Sequence, residues 1–323
     1  MILIDRRAWL RQLLLIRGTS LVWTWKRVSL ATGVATIATV LHQLHGGSSA
    51  IDLSPLPFTL IGLALSIFLG FRNNTSYDRF WEGRKLWGSL VNVARSFTRQ
   101  LLTLVGPRMV DANCDHRAGV GEAAEMQAVR HALVHALIAY VHALRHHLRD
   151  EDGLEQLHGL LPPELLASLA SEHNRPVAIT QWIGDQLRGL YDRGWIHAHH
   201  LTVLEASLTE ITAVQGACER IKSTPIPASY TVLIHRIVVL YCVGLPFGIL
   251  STVGTMTPVV VAIVAYAFYG LDAVGTEIED PFGLDPNDLP LSALSRMIEV
   301  NLRQRLGEQE LPPLLEPVDG ILQ

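Results

Sequence analysis

Three aspartates near the C-terminus could bind a metal ion. Asp280, Asp285 and Asp288 lie in the segment DPFGLDPND, whose glycine and proline residues favour turns. Hard cations such as calcium take carboxylate oxygens as ligands. The spacing is not that of an EF-hand loop. A turn that caps the following helix, with Asp288 near the helix N-terminus, is the competing interpretation.

Four histidines form a second group that could do chemistry. His131, His135, His142 and His146 fall on one face of a predicted helix, within about 60° of one another. Two i, i+4 pairs could bind a transition metal or respond to pH. A polar helix face or a subunit contact is the competing interpretation, since the chain has 14 histidines.

Known catalytic motifs are absent from the sequence. It contains no GxSxG, Walker loop, HExxH or glycine-rich phosphate-binding loop. Cys114, Cys218 and Cys242 form neither a CxxC pair nor a disulfide framework. We therefore expect no enzymatic activity and no required cofactor, with calcium or another divalent ion at the aspartates as the one cofactor prediction.

The composition indicates a membrane protein. The chain has 323 residues, of which 49% are hydrophobic and 17% are charged, against about 25% charged in a soluble domain. Charges are sparse at 28–71 and 231–271 and dense elsewhere, which is typical of a membrane part joined to a water-facing part. The net charge of −4 gives no case for a nucleic-acid partner.

Four apolar segments predict four transmembrane helices. They lie at 28–41 (extended by 21–25), 56–71, 232–250 and 257–271. Arginines and lysines precede the first segment and follow the second, whereas the loops 42–57 and 251–256 have none. The basic side is the cytoplasmic side. Both termini and the long middle region are therefore predicted to be cytoplasmic.

The rest of the chain reads as helical. Helical periodicity recurs at 87–104, 122–147, 177–190 and 291–306, separated by glycine and proline turns. We predict an all-α, polytopic membrane protein with four transmembrane helices and a helical cytoplasmic region. Its parts are 20–76 (helices 1 and 2), 77–228 (cytoplasmic helices), 229–275 (helices 3 and 4) and 276–323 (cytoplasmic C-terminal segment).

An apolar stripe runs along the second span. Leu63, Ile67 and Phe71 are spaced i, i+4, i+8 and fall within about 80° on one helical face. A lipid-facing or core stripe is the ordinary interpretation. A hydrophobic constriction is the sharper one, because apolar rings around a pore can gate it by dewetting. The small residues Gly62, Ser66 and Gly70 beside the stripe would allow close helix approach.

The segment after this stripe carries a family resemblance. SIFLGFRNNTSYDRFWEGRKLWG at 66–88 resembles the bestrophin family, in particular its bacterial branch. PIPASY at 225–230, LPFG at 245–248 and EIEDPFGLDPNDLP at 277–290 resemble it as well. These blocks occur in the family's order along 20–305. The uninterrupted charges at 72–84 further predict that the second span continues as one helix out of the membrane.

The resemblance implies a homopentameric ion channel in the bacterial inner (plasma) membrane. Its partners would be its own copies, the lipid bilayer and the permeant inorganic ions. The family's pore neck would fall on Leu63, Ile67 and Phe71, and a cytoplasmic aperture on Ile179, with Ile183 as a competitor. Animal members conduct chloride and bind calcium at the acidic turn, which here is interrupted by non-acidic residues. Cation conduction occurs among bacterial members, so the sign of the permeant ion is not transferred.

Two functional hypotheses follow from the sequence. The first is a passive channel for monovalent ions with a hydrophobic neck. The second is a non-conducting membrane scaffold, or a metal-sensing protein that uses the histidine face of its cytoplasmic helices.

Overall fold

A computed structural model describes residues 1–2, 18–45, 53–107, 120–318 and 320–322. These residues form helices, two isolated bridges and no β-strand, which confirms the all-α prediction. Cys114 lies outside the described residues, as do Arg6, Arg7, Arg11 and Arg17, four of the basic residues that precede the first apolar segment. The helices, in chain order, are α1 (Leu21–Leu44), α2 (Leu56–Leu104), α3 (Val120–Leu148), α4 (Pro163–Leu169), α5 (Arg175–Asp192), α6 (Ala198–Ser223), α7 (Ala228–Val253), α8 (Thr257–Glu277) and α9 (Leu291–Leu306).

Proline and asparagine mark where several helices begin. Prolines occupy the first turn of α2, α5 and α8, where their missing N–H would have no helical partner. Asn174 caps α5 by accepting a hydrogen bond from Val177 N at 3.4 Å. Helix α5 therefore begins two residues before the predicted start at 177. Helix α9 ends at Gly307, whose φ of +80° suits glycine.

Four helical segments pack into what we call the apolar bundle: α1, the N-terminal part of α2, α7 and α8. Its buried core includes Ala31, Leu65, Val238 and Ala265. Gly62 is buried against Tyr241 of α7, and an added Cβ would collide with that ring. The close helix approach predicted for Gly62 therefore occurs within one subunit, between α2 and α7.

Two stretches among the described residues are long and apolar enough to cross a membrane. They are Leu56–Leu104 and Ala228–Glu277. The second contains both α7 and α8, separated by the short 3-10 helix Gly254–Met256. Helix α1 does not meet this criterion of length and composition. Four spans thus stay a prediction, although all four predicted segments are helical.

The remaining helices form a second unit, the helical body, with its own core. It comprises the C-terminal part of α2 together with α3 to α6 and α9. Trp87 and Phe97 of α2 are fully buried in this core, where α2 contacts α3, α6 and α9. Tyr140 of α3 is also buried, and its hydroxyl donates to Ile211 O of α6 at 3.2 Å.

Helix α2 joins the apolar bundle to the helical body without a break. Its 49 residues make it about 74 Å long at 1.5 Å per residue. This continuity confirms the prediction that the second span continues as one helix beyond the apolar segment. One side of α2 therefore extends along both the apolar bundle and the helical body.

Candidate functional site

One face of α2 has no partner among the residues that the structure describes. Leu63, Ile67 and Phe71 are 63%, 51% and 61% exposed. Leu65 and Leu69, on the opposite side of the same turns, are 2% and 1% exposed. The predicted stripe is therefore not part of the subunit core, and its side chains must meet lipid, another subunit or water.

The same face becomes polar beyond the apolar bundle. At 100° per residue, Asn74, Asp78, Lys85, Asn92 and Arg99 continue the stripe, and all five are exposed. The buried residues of α2 follow the other side of the helix from Gly62 to Leu101. Helix α2 thus packs on one side against the described residues and leaves an exposed strip that is apolar at first and mostly polar later, with the exposed Trp81 among the polar residues.

A buried ion network fixes the rotation of α2 directly after Phe71. Arg72 is 1% exposed, and its Nη1 lies 2.6 Å from Asp272 Oδ1 of α8. Its Nη2 donates to Thr276 Oγ1 at 2.7 Å. The other oxygen of Asp272 lies 3.1 Å from His235 Nε2 and 3.7 Å from Arg27 Nη1. Since Arg72 points into the subunit, Phe71 points away from it.

Sequence reasoning did not find this network. Asp272 is the first acidic residue after the fourth apolar segment, and His235 and Arg236 are the only basic side chains in the third. Ionisable groups in or next to a membrane segment are costly unless they are paired. The positions of Asp272 and His235 at the ends of apolar segments therefore indicated that each needs a charged partner.

Arg79 ties α2 to the end of α6. Its Nε donates to Glu279 O at 2.9 Å, and its Nη1 and Nη2 donate to Thr224 O and Ile221 O at 2.6 Å. These carbonyls at the end of a helix have no intrahelical partner of their own. Arg79 therefore caps the C-terminus of α6 and holds it next to α2.

Arg79, Glu82 and Arg84 are close in sequence but form no ion pair with one another. Glu82 instead pairs with Arg220 of α6 at 2.7 Å. The guanidinium of Arg84 lies over the Trp81 ring, 4.9 Å from its centroid. These residues stand on different sides of α2, so each meets a different neighbour.

Ile179 cannot line an aperture, which corrects the prediction. Ile179 and its competitor Ile183 are both fully buried in the core of the helical body. A side chain already enclosed by its own subunit stays enclosed when subunits assemble, so neither can face water. Val177, in the first turn of α5, is exposed instead, at 49%.

Asp288 is the centre of the acidic turn. It is 3% exposed, its Oδ2 accepts a hydrogen bond from Asp285 N at 2.7 Å, and its buried Oδ1 has no partner among the described atoms. Burial, together with the neighbouring carboxylates of Asp285, Asp280 and Glu277, raises the pKa of Asp288 to about 7. The hydrogen bond from Asp285 N to Asp288 is the kind expected of the competing interpretation, a structured turn before α9.

The three aspartates fit calcium only in part. The orphan oxygen of Asp288 and the surrounding negative charge favour a cation. However, the one set of three His, Cys, Asp or Glu ligand atoms that converges within 4.8 Å among the described residues lies elsewhere. Calcium at Asp280, Asp285 and Asp288 stays a prediction, and no step of the function is derived from it.

Replacing Asp288 by asparagine is expected to change how stability depends on pH. Between about pH 4 and pH 7 the folded carboxyl keeps a proton that the unfolded one has lost, so the free energy of unfolding falls as pH rises. Asp288→Asn removes this fall. Its melting temperature relative to wild type should rise by several degrees from pH 5 to pH 8, measured by fluorescence in detergent with a calcium chelator.

A constant difference between the two proteins at every pH would contradict this account of Asp288. The same melts repeated with added calcium test the metal prediction. Calcium bound at this turn should stabilise the wild-type protein and leave Asp288→Asn unaffected.

The four histidines of α3 do not form one site. His142 is buried and lies 3.0 Å from Glu299 of α9, and burial lowers its pKa despite that hydrogen bond. His146 lies 2.7 Å from Glu151. His131 and His135 instead share a third partner, Glu308. The shared helical face was predicted, but two of the three carboxylates that divide it, Glu299 and Glu308, come from a distant part of the chain.

Comparisons with known proteins agree along almost the whole chain. The family model described as Bacterial/Fungal Bestrophin protein matches residues 1–304. A voltage-dependent anion channel-forming protein of Ralstonia nicotianae is 42% identical over 303 residues, 94% of each chain. The voltage-dependent anion channel-forming protein YneE of Escherichia coli is 36% identical over 323 residues, 98% of each chain.

A solved structure shares the fold. A crystal structure of a bacterial bestrophin homologue from Klebsiella pneumoniae aligns with a TM-score of 0.77 and 32% identity, covering 88% of this chain and 98% of that one. The resemblance drawn from residues 66–88 and the later blocks is therefore confirmed. The relatives of this chain are named as channel-forming proteins and not as enzymes, which fits the expectation that the chain is not an enzyme. It is a membrane protein, and it belongs to the bacterial and fungal bestrophin family.

Proposed function

We propose that the chain is one subunit of a homopentameric channel that passes monovalent ions along the exposed face of α2. Leu63, Ile67 and Phe71 form the neck of the pore. The observation that carries this proposal is their exposure of 63%, 51% and 61%, on a helix whose other side is closed by the subunit itself. Apolar rings at a constriction control wetting and therefore conduction.

The course of the strip favours a pore wall over a lipid contact. A lipid-facing strip would end at the membrane edge, where α2 would turn another side to its neighbours. Here the same side continues as Asp78, Lys85 and Arg99, all exposed. These charged side chains need contact with water. A water-filled pore that runs beside α2 would provide that contact along the whole strip.

The assembly and topology form part of the same proposal. Five copies come from the family resemblance, and the exposed residues Ser66 and Gly70 leave room for a neighbouring helix. The four spans are α1, the start of α2, α7 and α8, in a bacterial inner membrane. Leu322 N donates to Met1 O at 2.9 Å, which supports both termini lying on one side, here the cytoplasmic one.

Ion selectivity is set outside the neck, because the neck carries no charge. The relatives are named for anions, which makes chloride the first ion to test and potassium its matched alternative. Purified protein in liposomes or planar bilayers should show currents, and the sign of the reversal potential in a KCl gradient identifies the ion. Silence in all tested salts would contradict the channel and leave a non-conducting membrane scaffold.

A second constriction is expected at Val177 and not at Ile179. Val177→Ala should raise conductance with little change in stability, because its side chain is half exposed at the start of α5. Ile179→Ala should cost about 2–5 kcal/mol of stability, as emptying a packed core position does. Single-channel currents and melting temperatures of both variants separate the two roles. Altered conductance in a fully stable Ile179→Ala, with normal Val177→Ala currents, would restore Ile179.

A further inference from the structure

Two histidines and one glutamate converge at the contact between α3 and the chain after α9. His131 and His135 are one turn apart on α3, and their ring centroids are 6.0 Å apart. Glu308 Oε1 lies 2.6 Å from His135 Nε2 and 3.9 Å from His131 Nδ1. All three ligand atoms lie within 4.8 Å of one another.

We propose that His131, His135 and Glu308 bind a transition-metal ion, with zinc as the best fit. Two imidazoles and one carboxylate are ligands that zinc takes, with water completing a tetrahedral site. Bonds of 2.0–2.2 Å to zinc place ligand atoms roughly 3.3 Å apart. The observed separations of 2.6 and 3.9 Å bracket that value, so small side-chain adjustments seat the ion.

The surroundings of Glu308 hold it in a ligating position. Gly307 ends α9 with a φ of +80°, which turns the chain back toward α3. Arg303 Nη1 lies 2.9 Å from Glu308 Oε2, and Arg303 Nε lies 3.1 Å from Glu299 Oε1. Arg303 thus occupies one carboxylate oxygen and leaves Oε1 for the metal, which is the orienting role of an outer partner.

The site is accessible and separate from the other histidines. The side chains of His131, His135 and Glu308 are 34%, 20% and 18% exposed, so an ion can enter from solvent while the ligands stay anchored. His142 and His146 have their own carboxylates, Glu299 and Glu151. A bound ion would fasten the segment after α9 to α3, whether or not the protein conducts.

Metal binding to the purified full-length protein tests the proposal. The protein is prepared without a polyhistidine tag, stripped with chelator and titrated with zinc by calorimetry and with cobalt by visible absorption. Wild type is expected to bind one ion per subunit at micromolar or lower concentration, with the intense visible bands of tetrahedral cobalt.

Variants locate the ion. His131→Ala/His135→Ala and Glu308→Gln remove ligands and should each weaken zinc binding at least about 100-fold. Arg303→Gln removes only an outer partner of Glu308 and should weaken binding about 10–100-fold. His158→Ala/His173→Ala, which removes two exposed histidines elsewhere, should bind like wild type. Glu308→Gln preserves side-chain size, so it remains informative if the double histidine variant does not fold.

Two results would overturn the proposal. One is wild-type protein that binds zinc only at millimolar concentration. The other is undiminished affinity in a folded Glu308→Gln or His131→Ala/His135→Ala variant, which would place the ion on other side chains.

Discussion

Ile67→Ala is expected to raise conductance several-fold. In a pentamer the substitution is repeated five times around the axis, so five apolar side chains shorten at the same height. A wider and less apolar ring is easier to wet, and the barrier to ion passage falls. Phe71→Ala should act in the same direction. The measurement is single-channel current in planar bilayers containing the purified variant.

Ile61→Ala is the matched control for this neck variant. Ile61 has the same side chain on the same helix and is 46% exposed against 51% for Ile67. It lies about 120° away around α2, outside the stripe. Its currents should be those of wild type. Equal effects of the two substitutions would show that the Ile67 face has no special relation to the ion path.

Arg72→Met is expected to cause the largest loss of stability. Arg72 and Asp272 are 1% exposed and paired at 2.6 Å, so removing the guanidinium leaves a buried carboxylate with weaker partners. Breaking a buried pair in this way costs about 3–5 kcal/mol. A lower melting temperature in detergent is the expected result, with loss of currents, because the rotation of α2 is no longer fixed.

The double variant Arg72→Met/Asp272→Leu separates the ion pair from simple packing. Replacing both partners by apolar side chains removes the unpaired charge. It should therefore melt above Arg72→Met alone. A double variant that melts lower than the single one would mean that the charge of Asp272 is held mainly by His235 and Arg27, and that Arg72 contributes through its packing.

Local sequence patterns predicted the helices well. Periodicity, proline and glycine marked α3, α5 and α9 within a few residues, and unbroken charges after Phe71 predicted that α2 continues beyond its apolar segment. The residues that carry these signals lie in the same helix that they define. Exposure of the Leu63 stripe excludes a core location and leaves a pore neck or a lipid contact as its interpretation.

Contacts between distant segments were beyond the sequence pattern. The burial of Ile179 depends on how α5 packs into the helical body, and periodicity marks an apolar face without saying what covers it. Glu308 joins His131 and His135 only because Gly307 reverses the chain after α9. Asp272 meets Arg72 across 200 residues. Each of these depends on the relative placement of whole helices.

Accessibility of Ile67→Cys during conduction tests the central claim most directly. In a background with Cys114, Cys218 and Cys242 replaced by alanine, charged thiol reagents are applied to open channels carrying Ile67→Cys or Ile61→Cys. The account predicts rapid block of the Ile67→Cys current and no effect on Ile61→Cys. Unchanged Ile67→Cys currents, or block confined to Ile61→Cys, would contradict a pore lined by the exposed face of α2.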